Sequence, residues 1–244
     1  MELYGFAPLR TTGSTTVRGF TADIDLDLGE VLEKLQWASH LRASVERGRW
    51  GLLTDLGYDK LGSEAATTTR RDGFTGRESF TGRAEVSTIQ GIYDLALRYR
   101  FGDRETAVGS PGQFSLIPYA GLRVLQAQLN VEAEVSVPPL GTRFQREGEL
   151  NRTWVQPLIG TQASLFLAPR LRAFARADVG GFGLAGERDL SGNAQLGLGY
   201  AVGNSTQVNL SWRYQGIAFD NGAQNPNGYT SDLNGVELGL KVFF

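Results

Sequence analysis

Hydrophobicity in this 244-residue chain repeats every second residue, the period of a β-strand, not every 3.6 residues as in a helix. Val208, Leu210, Trp212 and Tyr214 fall on one side of a strand, and Gln207, Asn209, Ser211, Arg213 and Gln215 on the other. Over 193–202, Ala194, Leu196, Leu198, Tyr200 and Val202 alternate with Asn193, Gln195, Gly197 and Gly199. Over 171–179 and 89–101 the same alternation sets Arg172, Arg176 and Asp178, and then Asp94, Arg98 and Arg100, on the polar side. Side chains of a strand point to opposite faces in turn, so the chain predicts a sheet with one apolar and one polar face. Eleven strand-like segments stand out: about 2–9, 14–26, 37–46, 49–60, 85–101, 113–135, 153–168, 170–183, 191–202, 205–217 and 231–244.

A soluble sandwich alternates too, but its polar face meets water and is rich in Lys, Thr and Glu. Here the polar face carries Arg, Gln, Asn, Asp, Ser and Gly, with Lys scarce. That composition suits a confined interior where charges pair. Tyr, Trp and Phe tip the apolar segments, as an interfacial girdle would. Glycine, 32 residues in all, sits inside apolar runs such as 197–200 instead of in linkers. Connections alternate in length, a second mark of a membrane barrel. Short ones lie at about 46–49, 168–170 and 203–205, with a middling one at 102–112; long ones lie at about 60–84, 136–152, 184–191 and 217–231.

The expectation is an all-β protein: a transmembrane antiparallel up-and-down β-barrel forming one domain over residues 1–244. Eleven segments conflict with the even strand number of a closed meander. About twelve strands are expected, the missing one near 64–84; ten is the alternative, with residues 1–12 outside the wall. The segment 113–135 changes phase, from Ala120, Leu122 and Val124 to Leu125, Ala127, Leu129 and Val131. This predicts a β-bulge near Val124–Leu125, or else a strand that runs on beyond the membrane. Leu28, Val31, Leu32 and Leu35 have helical spacing and predict a short helical turn at the barrel mouth.

The last ten residues, Gly235-Val-Glu-Leu-Gly-Leu-Lys-Val-Phe-Phe244, resemble the C-terminal assembly signal of Gram-negative outer-membrane barrels. Gly48-Arg-Trp-Gly51 with Tyr58, the run Ile92–Gly102, Pro118-Tyr-Ala-Gly-Leu-Arg123 and Asp178-Val-Gly-Gly-Phe-Gly183 resemble a proteobacterial barrel family of unassigned function. The resemblance implies the cell outer membrane as location. It implies outer-membrane lipid, lipopolysaccharide and the assembly machinery as partners, with Phe244 as the assembly signal. It implies no catalytic residue. The sequence starts at Met1-Glu-Leu-Tyr4 without a signal peptide, and is read as a mature form with an added start Met.

Several chemistries are excluded or weak. A net charge of −2 gives no reason to expect nucleic acid as a partner. Without cysteine there is no disulfide or thiolate metal site. No glycine-rich nucleotide loop is present, and no cofactor or enzymatic activity is expected. His40 is the sole histidine. Ser39 points to the opposite face from it, and Ser44 lies roughly 13 Å along the strand, so a Ser–His hydrolase finds little support. Asp23, Asp25 and Asp27, with Asp55 and Asp59 on a later strand, are a candidate carboxylate or Ca²⁺ site; the plainer reading is an acidic rim.

The inward arginines are the main candidates. Alternation places Arg42, Arg98, Arg100, Arg123, Arg172, Arg176 and Arg213 on the inner face, opposite Glu46, Asp55, Asp94, Asp178 and Glu237. Two readings stay open. Excess arginine would make a narrow passive channel for small polar or anionic solutes, the leading expectation. Paired charges would instead plug the interior of a structural or adhesion barrel.

Overall fold

In a computed structural model of the protein, the backbone is described for residues 1–17, 20–73, 76–137, 142–184, 186–223 and 228–244. Side chains are described for these residues except 17, 20–22, 24, 63–73, 76–86, 129, 131–137 and 142–150. The strands in chain order are β1 (Glu2–Val17), β2 (Phe20–Asp27), β3 (Leu35–Arg47), β4 (Trp50–Gly73), β5 (Gly76–Tyr99), β6 (Phe101–Gly102), β7 (Phe114–Val137), β8 (Thr142–Ala168), β9 (Leu171–Gly180), β10 (Arg188–Ala201), β11 (Thr206–Asp220) and β12 (Gly228–Val242). One helical turn, α1 (Leu28–Lys34), joins β2 to β3.

Twelve strands belong to the sheet, but only ten form the wall. The ring runs β12-β11-β10-β9-β8-β7-β5-β4-β3-β1 and closes where β1 pairs antiparallel with β12. β2 folds back on the upper half of β1, from Arg10↔Asp27 to Val17↔Phe20, and β6 only extends the pairing along β7. The preferred twelve-strand wall therefore gives way to ten. Residues 1–12 are not the part left out: β1 is the closing strand, and the 14–26 segment is a hairpin overlapping it.

Among the described residues no additional strand lies near 64–84, and those residues are not a loop. β4 and β5 run through it as one uninterrupted ladder up to Gly73↔Gly76. β7 and β8 likewise pair from Phe114↔Leu165 to Val137↔Thr142. A membrane strand needs about 9–11 residues, whereas β4, β5 and β7 each have 24. These neighbours rise well above the rest of the ring. Alternation marks a strand only where its two faces differ in surroundings, and the sequence pattern stopped near Lys60 although the ladder runs on. The middles of two expected long connections, 138–141 and 224–227, lie outside the described residues.

The expected bulge in 113–135 is absent. Val124 and Leu125 pair in unbroken register with Tyr93 and Ile92, and with Val155 and Trp154. The phase change is a change of filling: Leu125 and Ala127 share the inner face with Arg123 and are buried. Leu129 and Val131 have no described side chains.

Polarity is inverted relative to a soluble protein. Leu95, Leu122, Val155, Ile159, Leu196, Leu210 and Leu238 are at least half exposed on the outside. Arg, Asp, Glu, Asn and Gln fill the inside. Trp50, Tyr99 and Phe101 stack edge to face at the end bearing the short turns, with centroids 4.9 and 5.0 Å apart. Gly102 there has φ +78°, and a Cβ on it would lie 2.5 Å from the Phe114 carbonyl oxygen. Only glycine fits both demands.

Candidate functional site: the barrel interior

Of the twelve residues placed on the inner face from the sequence, eleven are buried, namely Arg42, Asp55, Asp94, Arg98, Arg100, Arg123, Arg172, Arg176, Asp178, Arg213 and Glu237, and Glu46 is half-buried. Strand alternation sets each one inward, and the closed ring brings distant strands within bonding reach.

The middle layer is a continuous ion-pair network. Asp55 accepts from Tyr4 Oη at 2.7 Å, from Arg42 Nε at 3.0 Å and from Arg176 Nη1. Arg123 donates twice to Asp94, at 2.7 and 2.8 Å, and once to Asp178 at 2.7 Å. Arg176 Nε donates to Tyr119 Oη at 2.8 Å, which donates to Asp178 at 2.9 Å. Arg213 bridges Asn193 and Glu237 at 2.8 and 2.9 Å. Glu2 takes Asn209 Nδ2 at 2.6 Å and Arg42 at 3.3 Å. The Arg176–Asp55 pair joins β9 to β4, on opposite sides of the ring, so it crosses the axis.

At the end with the short turns, residues 103–113 fold back across the mouth. Gly109 N donates to the Pro169 carbonyl at 3.0 Å, Gly112 N to that of Phe166 at 2.8 Å, and Gln207 Nε2 to that of Ala107 at 2.6 Å. This connection delivers Glu105 to Arg172 (3.2 Å), Lys241 (3.5 Å) and Arg98 (3.6 Å), with Gln162 donating at 3.0 Å. Glu46 holds Arg98 at 3.1 Å and Arg100 at 2.8 Å. Burial alone would raise the Glu105 carboxyl, but Lys241, Arg172 and Arg98 overcome it and bring it down to about 2.

Since Glu105 titrates lower folded than free, its stabilisation is complete above pH about 4.5 and is lost as pH falls towards 2. Glu105→Gln is expected to lose about 3 kcal/mol of stability at pH 7. Denaturant titrations should show that gap to the unsubstituted protein closing between pH about 4.5 and 2; a gap that does not vary with pH would contradict the assignment.

At the opposite end the filling turns apolar. Leu125, Ala127, Trp154, Ile217 and Phe219 form a buried cluster, with Ile92 and Tyr229 against it. The Trp154 and Phe219 rings lie 5.1 Å apart.

The expected excess of arginine is absent from these layers. Among the described residues, Arg42, Arg98, Arg100, Arg123, Arg172, Arg176, Arg213 and Lys241 meet Glu2, Glu46, Asp55, Asp94, Glu105, Asp178 and Glu237, and the buried Asp189, which accepts from Gln156, brings the acids to the same number. Glu2, Glu105 and Asp189 were not among the acids read from the sequence. Glu2 could be placed by its alternation with Tyr4. Glu105 sits in a connection with no period and carries no such signal.

The other candidates resolve into local roles. His40 Nε2 lies 3.2 Å from Asp59, and its ring stacks on Tyr4 at 5.0 Å; no serine is bonded to it among the described residues. Asp25 pairs with Arg10 at 2.9 Å, and Asp27 caps α1 in a reciprocal bond with Glu30. Among the described residues no group of three acidic or histidine side chains is placed to hold a metal ion. Phe244 lies past the end of β12, is 90 % exposed, and its carbonyl accepts from Arg104 at 3.2 Å.

The fold and its filling define a closed antiparallel β-barrel that is polar inside and apolar outside. No protein-family description and no curated protein matches the chain. Among solved structures it is similar to Neisserial surface protein A, at 13% identity over 100% of this chain and 95% of that one, with a TM-score of 0.28. It is similar to the translocator domain of the autotransporter NalP from Neisseria meningitidis, at 15% identity over 100% and 88%, with a TM-score of 0.37. It is similar to the CymD monoaromatic hydrocarbon channel, at 8% identity over 99% and 88%, with a TM-score of 0.31.

Proposed function

We propose that the protein is an outer-membrane barrel whose interior is sealed by paired charge and which works through its outward-facing end, not as an enzyme. One observation carries this: bases and acids are matched across the interior, and Arg176–Asp55 spans the axis. A barrel of 8 strands is filled by its side chains, and one of 16–18 leaves a channel; at ten, filling decides. Three layers supply it here: the Glu105 loop, the ion-pair network and the Trp154–Phe219 cluster. The passive-channel reading rested on surplus arginine, which Glu2, Glu105 and Asp189 remove.

The exposed apolar belt supports a bilayer as surroundings, because only a closed barrel or a helix satisfies all backbone polar groups in lipid. The long β4–β5 and β7–β8 ladders would then stand outside the cell, where lipopolysaccharide is the nearest contact. Phe244 would be the residue read by the assembly machinery in the periplasm.

The chain has no cysteine, so single cysteines report sidedness directly. Ala223→Cys is expected to react with a membrane-impermeant maleimide on intact cells, whereas Arg49→Cys in the turn after β3 should react only after lysis. The opposite pattern would overturn the orientation.

A further inference from the structure

Two strands at the outward end keep one edge unpaired among the described residues. β2 pairs with β1 alone, from Arg10↔Asp27 to Val17↔Phe20, and β1 is already paired with β12 on its other side. β2 is therefore the terminal strand of the sheet. β4 pairs with β3 only up to Leu61, and from Gly62 to Gly73 it pairs with β5 alone. α1 packs beside both β2 and β4. The two open edges thus flank a cleft with α1 at its foot.

The cleft stands in water. Arg10 and Asp25 pair across β1 and β2 at 2.9 Å with each side chain 63% exposed, above the last exposed apolar residue of β1, Leu9. An unpaired edge is not tolerated in hydrocarbon. In water its N–H and C=O groups stay free to pair with another chain.

The chemistry of β2 selects what would pair there. Edge strands are commonly blunted by lysine, proline or a bulge; β2, Phe20-Thr-Ala-Asp-Ile-Asp-Leu-Asp27, has none of these. Asp23, Asp25 and Asp27 share one face of it and are exposed. Phe20, Ala22, Ile24 and Leu26 alternate with them in the sequence. The charged groups around the cleft leave it acidic. Asp23, Asp25, Asp27, Glu30, Glu33 and Asp59 outnumber Arg10, Lys34 and Lys60. The open stretch of β4 is balanced, with Glu64 and Asp72 against Arg70 and Arg71. Arg18, between β1 and β2, lies outside the described residues and does not reverse the excess of acid.

We propose that the β2 edge takes up an extended segment of a partner protein as an added strand, one in which basic residues alternate with apolar ones. The main chain of that segment satisfies the open N–H and C=O groups, and its basic row lies beside the aspartates as cross-strand pairs. This names a partner class for the outward end and rests on that end being the one through which the protein works.

The protein is refolded into phosphatidylcholine vesicles, which carry no net charge, and titrated with a fluorescent peptide alternating lysine and valine, with protein-free vesicles as the blank. Saturable binding is expected, and a diazirine-bearing version should crosslink to residues 20–34 or 62–73. The same peptide N-methylated throughout keeps its charge but has no N–H to donate, and should not bind. A peptide alternating glutamate and valine should not bind either. Asp23→Asn with Asp25→Asn should weaken binding by up to about fivefold per aspartate, the size of one cross-strand charge pair. Equal binding of the N-methylated peptide would reduce the interaction to charge adsorption and overturn edge pairing. Equal binding of the glutamate peptide, or crosslinks confined to other residues, would overturn it as well. No binding of any peptide, by a protein whose Ala223→Cys is labelled from outside intact cells, overturns the proposal and spares the outward-end reading. Labelling of Ala223→Cys only after lysis overturns that reading instead, while the peptides still report on the edge itself.

Discussion

Arg176→Met is expected to destabilise the folded barrel by about 3–5 kcal/mol. Arg176 is 4% exposed and reaches Asp55, Tyr119, Asp94 and Asp178. Removing it leaves those carboxylates short of a compensating charge where water is scarce, and an uncompensated buried charge is what makes breaking such a pair expensive. Adding Asp55→Leu should restore much of the loss, since deleting both members of a buried pair is often nearly neutral. Urea unfolding of protein refolded into vesicles reads both variants, with tryptophan fluorescence as the signal. A loss below about 1 kcal/mol for Arg176→Met would mean that its partners are hydrated, and the interior open.

Leu196→Arg should lower stability in a bilayer by about 2–4 kcal/mol. Leu196 is 64% exposed midway along β10, beside Trp212 and Ala175 in register. In water such an exposed substitution would be nearly silent. In lipid it places a guanidinium in hydrocarbon. Ala223→Arg, on the exposed connection after β11, is the control and should change stability little. Equal, small effects of both variants would contradict a lipid-facing belt.

The wall was readable from sequence wherever one face is apolar and the other polar. Val208–Tyr214 and 193–202 show this, and so do the twelve inward charged residues, because strand parity alone assigns a side. Two parts were not. The extensions of β4, β5 and β7 carry no period-two alternation in the sequence, so strands looked like loops. The strand number depended on whether β2 joins the wall or overlaps β1, and that is set by pairing between distant segments, which local pattern does not encode. The balance of charge failed for a similar reason: Glu105 reaches Arg172 and Lys241 through the tertiary folding of residues 103–113. The apparent bulge at Val124–Leu125 was the boundary between a polar and an apolar filling of one inner face.

Planar-bilayer recording of the refolded protein tests the sealed interior most directly. Paired charge across the axis, the Glu105 loop and the Trp154–Phe219 cluster together predict a silent membrane, with no single-channel steps in either polarity of applied voltage. Reproducible steps from the unsubstituted protein, abolished when it is denatured, would contradict a sealed interior and restore the channel reading.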